Sequence, residues 1–256
     1  LAPARAVRQA LEDGLVVLPA DDRWFEVLRR YVKGRLITTS LRGPADYQAI
    51  PGEGLSFQVR ERASGEQADF TAPMPGDYIL HDALLAIALG RQHGIGWADL
   101  ARALAAFQSV GYRWQRLQVN GVQVINDAYN ANPMSMRAAL QAFARTPVTG
   151  RRWLVLGSMR EMGSHAEAAH LALGREIAQG DWAGLLALGR EGAWFAEGAR
   201  AAGWPAERAR VCGSTREAAE ALQAMTRDGD AVLLKASRGE RLEEVVQQWQ
   251  QRLGVR

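Results

Sequence analysis

Short apolar runs that each lead into a helical pattern dominate the second half of the chain. These runs occupy residues 152–157, 185–189, 210–213 and 231–235. Each run is short enough for a buried strand, and apolar residues recur at helical spacing after it. Strands that alternate with helices favour a parallel sheet covered by helices. Glycines after three of the strands mark carboxyl ends, where open α/β sheets bind ligands.

The first half of the chain mixes shorter elements. Helices are predicted at residues 5–11, 22–31, 80–92 and 97–107. A strand is predicted at residues 15–18, and further short segments are predicted at residues 36–39, 55–60 and 69–72. The turn formers Thr-Pro-Val-Thr-Gly at residues 146–150 then interrupt the apolar periodicity. We therefore expect one domain at residues 1–147 and a second at residues 148–256.

A hairpin followed by a helix is predicted between the two halves. Asn120-Gly121 lies among alternating apolar residues and suits a type I′ turn. Asn132 is predicted as the N-cap of a helix and Pro133 as its first residue. Between the strand and the helix lie Asp127, Tyr129, Asn130 and Asn132. Beside the N–H groups of a helix N-terminus they suit a nucleotide or another anion, although an ordinary cap with Asx turns would use the same residues.

Composition narrows the class of protein. The 256 residues are 48% apolar, which is enough for one large core or two ordinary ones. The net charge is +3 without a basic run, so no nucleic-acid partner is expected. The single cysteine, Cys212, lies in an apolar run, and we expect a buried thiol in a cytoplasmic protein. No apolar stretch approaches the roughly 20 residues of a membrane span.

The segment Asp-Ala-Tyr-Asn-Ala-Asn-Pro at residues 127–133, followed by Ser-Met-Arg-Ala-Ala-Leu, closely resembles a signature of the Mur ligase family. Weaker resemblance extends through residues 20–22, 75–76, 156–159, 170 and 235–238. It implies an α/β fold in which the remainder of a Mur ligase central, ATP-binding domain precedes a Rossmann-like C-terminal domain with a mainly parallel sheet. Residues 1–147 would be the partial central domain, without its P-loop, and residues 148–256 the C-terminal domain.

The resemblance implies an ATP-dependent amide ligase of peptidoglycan synthesis. It is nearest to the members that add D-alanyl-D-alanine to a UDP-N-acetylmuramoyl tripeptide, with ATP and Mg²⁺ as cofactors. The residues implied to border the nucleotide are Asp127, Tyr129, Asn130, Asn132 and Pro133. Those implied to face a substrate cleft are His170, Lys235, Ser237 and Arg238. No residue is predicted to bind a metal.

Two of these residues have a second reading from their surroundings. His170 lies on a helical stretch rich in alanine and leucine, where a structural hydrogen bond is the alternative to a place in the cleft. Lys235 ends a buried strand, and burying its charge without a partner would be costly. We therefore expect a specific partner for Lys235.

The sequence departs from the family at several points. The only lysines are Lys33 and Lys235, so it contains no Gly-Lys dipeptide of a P-loop. Asp82, Tyr112 and Ser158 stand where the family has asparagine, arginine and aspartate, and Arg113 follows one residue later. We expect a truncated chain that is inactive alone, with a protein partner that supplies or replaces the missing part. A degenerate homologue that binds or scaffolds is the alternative, and an accidental match in an unrelated α/β binding module is a third reading.

Overall fold

The computed structural model describes residues 14–109 and 111–254, and the chain divides into two compact units, Leu1–Gln108 and Ser109–Arg256. The helix predicted at residues 5–11 lies outside the described residues. The boundary predicted at residues 146–150 is wrong, because that segment joins a helix to a strand within the second unit. Its turn formers mark a loop inside one domain, since the strands on both sides of it belong to the same sheet.

The first unit is built on a five-stranded mixed sheet. Its strands are β1 (Leu15–Pro19), β2 (Arg35–Ser40), β3 (Tyr47–Pro51), β4 (Ser56–Glu61) and β5 (Gln67–Thr71). Its helices are α1 (Phe25–Leu28, continued by a 3₁₀ turn at Arg29–Tyr31), α2 (Asp77–Gln92) and α3 (Trp97–Ala105). The strands lie side by side in chain order, with β1, β2 and β3 parallel and the remaining pairs antiparallel. The predicted strand at residues 15–18 is confirmed, and the three predicted short segments are the strands β2, β4 and β5. Strand β3 was not predicted, because exposed Ile50 breaks its apolar alternation.

Helix α2 covers one face of this sheet. Its buried residues recur at helical spacing, as a helix that packs by one stripe requires. They are Ala83, Leu84, Ile87, Ala88 and Gly90. The first four join a core cluster with strand residues such as Ile37, Phe57 and Phe70.

The second unit is built on a six-stranded sheet. Its strands are β6 (Gln115–Val119), β7 (Val122–Asp127), β8 (Arg152–Leu156), β9 (Gly184–Leu188), β10 (Ala209–Cys212) and β11 (Ala231–Lys235). Its helices are α4 (Pro133–Arg145), α5 (Ala166–Ile177), α6 (Gly189–Ala201), α7 (Thr215–Met225) and α8 (Glu243–Arg252). In the described residues of both units, no helix is long and apolar enough to cross a membrane.

The sheet of the second unit is parallel except at one edge. The strand order is β10-β9-β8-β11-β7-β6, and only β6 runs antiparallel to its neighbour among the described strands. The four predicted parallel strands are confirmed, and the predicted hairpin adds β6 and β7 to them. Asn120 and Gly121 take φ values of 48° and 75°, as the type I′ turn requires. Cys212 is buried in this unit, and burial raises the pKa of its thiol to about 11, so the expected buried thiol is confirmed.

After β10 the chain returns to the middle of the sheet, and this return brings the carboxyl ends of several strands together. β11 inserts between β8 and β7, so the carboxyl ends of these three parallel strands lie side by side. Lys235 on β11 is in register with Asp127 on β7 and with Leu156 on β8. Open α/β sheets bind ligands where the strand order reverses in this way.

Helices α5 and α6 pack closely because glycines lie where they cross. A Cβ atom at Gly198 would lie 2.2 Å from the carbonyl oxygen of Leu171, and one at Gly174 would lie 2.3 Å from that of Phe195. At Gly192, also on α6, the nearest atom would be 3.5 Å away, which is ordinary contact. The crossing therefore requires glycine at position 198 and tolerates a methyl group at position 192.

We expect Gly198→Ala to lower the free energy of unfolding by about 1–3 kcal/mol, because the two helix backbones must separate to admit the methyl group. Gly192→Ala is the matched control on the same helix, and it should be neutral or stabilising by up to about 1 kcal/mol, since alanine favours helix. Urea unfolding followed by circular dichroism compares the two variants. Equal effects at both positions would contradict the proposed crossing.

Candidate functional site

A buried ion pair joins two carboxyl ends of the second sheet. Nζ of Lys235 lies 2.6 Å from Oδ2 of Asp127, and the two side chains are 4% and 15% exposed. The ammonium group also donates to the carbonyl oxygen of Asn130 at 3.0 Å. The buried lysine thus has the partners that its charge requires, and it fixes the segment that follows β7.

The second carboxylate oxygen of Asp127 is bonded to a strained backbone segment. Oδ1 accepts from the backbone N–H of Trp114 at 3.1 Å, and the N–H of Tyr129 donates to the carbonyl oxygen of Tyr112 at 2.9 Å. Tyr112 and Trp114 have φ values of 63° and 50°, which bulky residues rarely adopt. Such strain persists where the surroundings enforce it, and it is concentrated at functional sites.

The asparagines of the signature organise the start of α4. Oδ1 of Asn132 accepts from the N–H of Ser135 at 2.8 Å, and Oγ of Ser135 accepts from the N–H of Asn132 at 3.0 Å, which completes a capping box. Oδ1 of Asn130 accepts from the N–H of Ala131 at 2.8 Å. The predicted N-cap and the first-turn Pro133 are confirmed. The ordinary helix cap, which was the alternative to a ligand site, is therefore present. Asn130 and Asn132 are nevertheless exposed.

Two arginine–tyrosine stacks flank the signature segment. The guanidinium carbon of Arg113 lies 4.2 Å from the ring centroid of Tyr129, and that of Arg238 lies 4.7 Å from the ring centroid of Tyr112. A hydrogen bond to Glu243 raises the pKa of Arg238. Tyr129 is 43% exposed, and both arginines are exposed. This edge of the sheet therefore offers an aromatic face and cations to a ligand.

Ser237 ties the loop after β8 to the same segment. Its Oγ accepts from the N–H of Arg160 at 2.9 Å and donates to the carbonyl oxygen of Ala131 at 3.4 Å. Its own N–H donates to the carbonyl oxygen of Ser158 at 3.0 Å. Because Ser237 is buried, it positions the loops, and its neighbour Arg238 is the residue that reaches the surface.

The structure corrects the prediction that His170 faces a substrate cleft. Its side chain is buried, with Nε2 accepting from the N–H of Met159 at 2.9 Å and Nδ1 donating to the carbonyl oxygen of Ala166 at 2.6 Å. Burial lowers the pKa of the imidazole. Since both ring nitrogens are hydrogen-bonded within the fold, His170 has a structural role: it holds the loop after β8 through the N–H of Met159.

The described ranges provide no ready metal site. Within them, no group of three His, Cys, Asp or Glu side chains could hold a metal ion. Both carboxylate oxygens of Asp127 already accept hydrogen bonds. The Mg²⁺ that the resemblance implies therefore does not fit the residues at this edge.

Most of the predicted residues thus meet at one edge of one sheet, but their roles differ. The buried or largely buried side chains position the loops; these are Asp127, Lys235 and Ser237. The exposed side chains are accessible to a ligand; these are Tyr129, Asn130, Asn132 and Arg238. The sequence did not indicate that Trp114 bonds to Asp127, because this hydrogen bond depends on a backbone conformation. The sequence did point to Arg113, since it lies a single residue beyond the position of the family's arginine.

This geometry gathers the predicted residues at the carboxyl edge of an open α/β domain, the edge at which such folds bind ligands. Similarity to known proteins identifies the family. Residues 112–238 match the family model described as Mur ligase, glutamate ligase domain. The chain is 34% identical over 243 residues to the UDP-N-acetylmuramoyl-tripeptide--D-alanyl-D-alanine ligase of Bacillus subtilis, covering 92% of this chain and 51% of that protein. It is 36% identical over 249 residues to the ligase of the same name from Mycobacterium tuberculosis, covering 88% and 48%. The chain belongs to the Mur ligase family, and it spans about half the length of these relatives.

Solved structures support the same fold. MurF from Acinetobacter baumannii superposes with a TM-score of 0.83 at 23% identity, covering 97% of this chain and 54% of that one. The MurF ligase from Thermotoga maritima in complex with ADP gives a TM-score of 0.79 at 21% identity, covering 97% and 56%. The predicted α/β fold, with part of a Mur ligase central domain before a mainly parallel C-terminal domain, is confirmed, apart from the domain boundary.

Replacing Lys235 by methionine should lower the free energy of unfolding by about 3 kcal/mol, because the largely buried carboxylate of Asp127 loses its partner. The matched control is the surface pair Arg137–Glu176, whose side chains are 42% and 43% exposed. There, Arg137→Met should cost less than about 1 kcal/mol. Denaturant unfolding measures both. A double-mutant cycle with Asp127→Asn that shows no coupling to Lys235→Met would contradict the pairing.

The free energy of unfolding should fall as the pH drops from 7 through the usual titration range of histidine, near about 6.5. The pKa of His170 is lowered in the folded state, so the unfolded chain binds the proton more readily and stability rises with pH in this window. His170→Gln keeps an acceptor for the N–H of Met159 but does not titrate, so it should flatten the slope. Equal slopes for the two proteins between about pH 5 and 7, in unfolding followed by tryptophan fluorescence, would count against this role.

Proposed function

We propose that this chain forms the nucleotide-facing and amine-facing part of a ligase that joins D-alanyl-D-alanine to a UDP-N-acetylmuramoyl tripeptide in the cytoplasm. The observation that carries the proposal is the Lys235–Asp127 pair, which holds the family signature at the carboxyl edge of the sheet. Relatives at 34–36% identity carry the name of this reaction. The proposal extends that reaction to the present chain.

In the proposed reaction, ATP transfers its γ-phosphoryl group to the terminal carboxylate of the tripeptide. The acyl phosphate forms and ADP leaves. The amine of D-alanyl-D-alanine then attacks the acyl carbon, and the amide bond forms as the amine loses a proton to solvent and phosphate leaves. Positioning and charge stabilisation provide most of the catalysis in phosphoryl transfer. The buried residues at this edge of the sheet would act mainly by positioning, since Lys235 and Asp127 are hydrogen-bonded to the protein and to each other.

The exposed residues of the edge would contact the ligands. We assign the ring of Tyr129 and the side chains of Asn130 and Asn132, with the adjoining Pro133, to the base and ribose of the nucleotide. Arg238, beside the buried Ser237, is assigned to the side of the incoming dipeptide. Arg113 adds a cation over the ring of Tyr129. It would take the place of the family's arginine, whose position is occupied by Tyr112.

The phosphates of ATP need a cradle that this sequence does not contain. It has no Gly-Lys dipeptide, and its two lysines lie at positions 33 and 235. We therefore propose that a phosphate-binding loop comes from a further polypeptide segment, on the same chain or on a partner. The 256-residue chain alone should not hydrolyse ATP.

A degenerate homologue with a binding or scaffolding role is the second candidate. One observation favours it: each carboxylate oxygen of the signature aspartate, Asp127, already accepts a hydrogen bond from the protein, one from Trp114 and one from Lys235. Such an aspartate holds the fold together without contacting a ligand. The two candidates differ in whether the exposed side of the same segment binds a nucleotide.

Calorimetric titration with ADP separates these candidates. We expect the 256-residue chain to bind ADP weakly, and Tyr129→Ala to reduce the affinity about tenfold or more, because stacking of a base on an aromatic ring contributes about 1–3 kcal/mol. Met134→Ala is the matched control, since Met134 is 77% exposed on the first turn of α4. Its affinity for ADP should be unchanged.

Turnover is measured after adding a polypeptide that carries the phosphate-binding loop. The ligase predicts phosphate release that requires both D-alanyl-D-alanine and the UDP-linked tripeptide. If ADP does not bind and no phosphate is released, the ligase assignment fails and the scaffold assignment replaces it.

A further inference from the structure

A second charged pair lies beside the candidate site, on the loop that follows β11. The guanidinium group of Arg238 donates to Oε1 of Glu243, the first residue of α8. The two members of this pair differ in exposure, because the side chain of Arg238 is 48% exposed and that of Glu243 is 8% exposed. The carboxylate is therefore fixed within the fold, and the guanidinium group extends from it to the surface.

The buried carboxylate of Glu243 depends on its contact with Arg238. Its second oxygen, Oε2, is buried and has no hydrogen-bond partner among the residues that the structure describes. An acidic residue in the first turn of a helix ordinarily stabilises the helix N-terminus from the surface. Glu244, the next residue, fits that role, since its side chain is 25% exposed and pairs with exposed Arg241 at 2.6 Å. Glu243 instead buries its charge, which is costly unless a partner is held close to it.

A tyrosine ring supports the other side of the guanidinium group. The guanidinium carbon of Arg238 lies 4.7 Å from the ring centroid of Tyr112, a distance at which a cation and an aromatic ring attract each other. Tyr112 is itself held in place, because its carbonyl oxygen accepts from the N–H of Tyr129. The family has arginine at this position, which would offer Arg238 no ring. The orientation of Arg238 is therefore a property of the present sequence.

The charges around this loop are balanced rather than strongly positive. Three carboxylates each pair with one arginine: Glu243 with Arg238, Glu240 with Arg160 and Glu244 with Arg241. A carboxylate beside each of these cations disfavours a polyanion such as a triphosphate, because like charges repel. A zwitterion with one ammonium group and one carboxylate group is better matched to alternating charges. A short peptide with free termini is such a ligand.

We propose that Glu243 is a positioning residue, which holds Arg238 on the ring of Tyr112 so that the exposed edge of the guanidinium group binds the terminal carboxylate of the incoming dipeptide. This inference rests on the proposed function and names the group that the dipeptide side of the site recognises. A guanidinium group binds a carboxylate through two parallel hydrogen bonds, so its plane must be oriented. Arg238 makes the contact, and Glu243 acts through Arg238.

The test compares D-alanyl-D-alanine with its C-terminal amide, which lacks the carboxylate, in calorimetric titrations of the complete 256-residue chain. The unmodified chain should bind the acid about tenfold more tightly than the amide, as a charge-assisted hydrogen bond predicts. Glu243→Gln should reduce this preference to about twofold or less, because a neutral amide holds the guanidinium group less firmly. Glu244→Gln is the matched control, since it removes the same charge from the same helical turn. Its preference for the acid should be unchanged.

A second variant keeps the test decisive if Glu243→Gln does not fold, which circular dichroism verifies. Arg238→Lys leaves a cation beside the buried carboxylate but lacks the planar fork of donors, so it should also lose the preference for the acid. If Glu243 only stabilised the fold, its replacement would weaken the binding of both ligands equally. The ratio of the two affinities therefore separates a positioning role from a structural one.

Three results would overturn the proposal: no preference for the acid in the unmodified chain, a preference that survives in Glu243→Gln and Arg238→Lys, or an equal loss in Glu244→Gln. The proposed function is judged separately, by ADP binding and phosphate release. A preference that depends on Glu243 without any turnover would contradict the proposed reaction alone. Turnover with an unaltered preference in Glu243→Gln would contradict this inference alone.

Discussion

The candidate site depends on how one charged lysine is accommodated at the end of a buried strand. Lys235 ends β11 in the middle of a parallel sheet, where an unpaired ammonium group would be strongly destabilising. The strand order places Asp127 directly opposite, and the chain after β7 turns so that the carbonyl oxygen of Asn130 completes the coordination. The contacts that satisfy the charge of Lys235 therefore also fix the conformation of the signature segment.

From that pair the site separates into a supporting layer and a surface layer. Asp127, Trp114 and Ser237 hold three loops together through hydrogen bonds that leave little capacity for a ligand. Tyr129 and Arg113 stand outside this layer as a stacked aromatic and cationic pair. The hydrogen bonds of the supporting layer stabilise the fold whether or not the chain catalyses a reaction. The signature by itself therefore identifies the family more securely than it identifies an activity.

The sequence was most informative where local chemistry decides local structure. The Asn120-Gly121 turn, the cap formed by Asn132 and the apolar strands were all predictable, because each depends on neighbouring residues. The domain boundary was not, since the membership of β7 in the second sheet depends on its pairing with β11, more than a hundred residues later. His170 shows the same limit: its helix was predictable, but the loop that bonds to its imidazole was not.

If the turn held by Lys235 presents the exposed signature segment to a nucleotide, ADP must bind beside that segment. Backbone NMR shifts of the 256-residue chain during titration with ADP test this, because they locate weak binding residue by residue. We expect the largest changes at Tyr129, Asn130, Asn132 and Arg113, while the amide of Met159, which is bonded to His170, stays unchanged. Changes confined to other parts of the chain, or none at millimolar ADP, would contradict it.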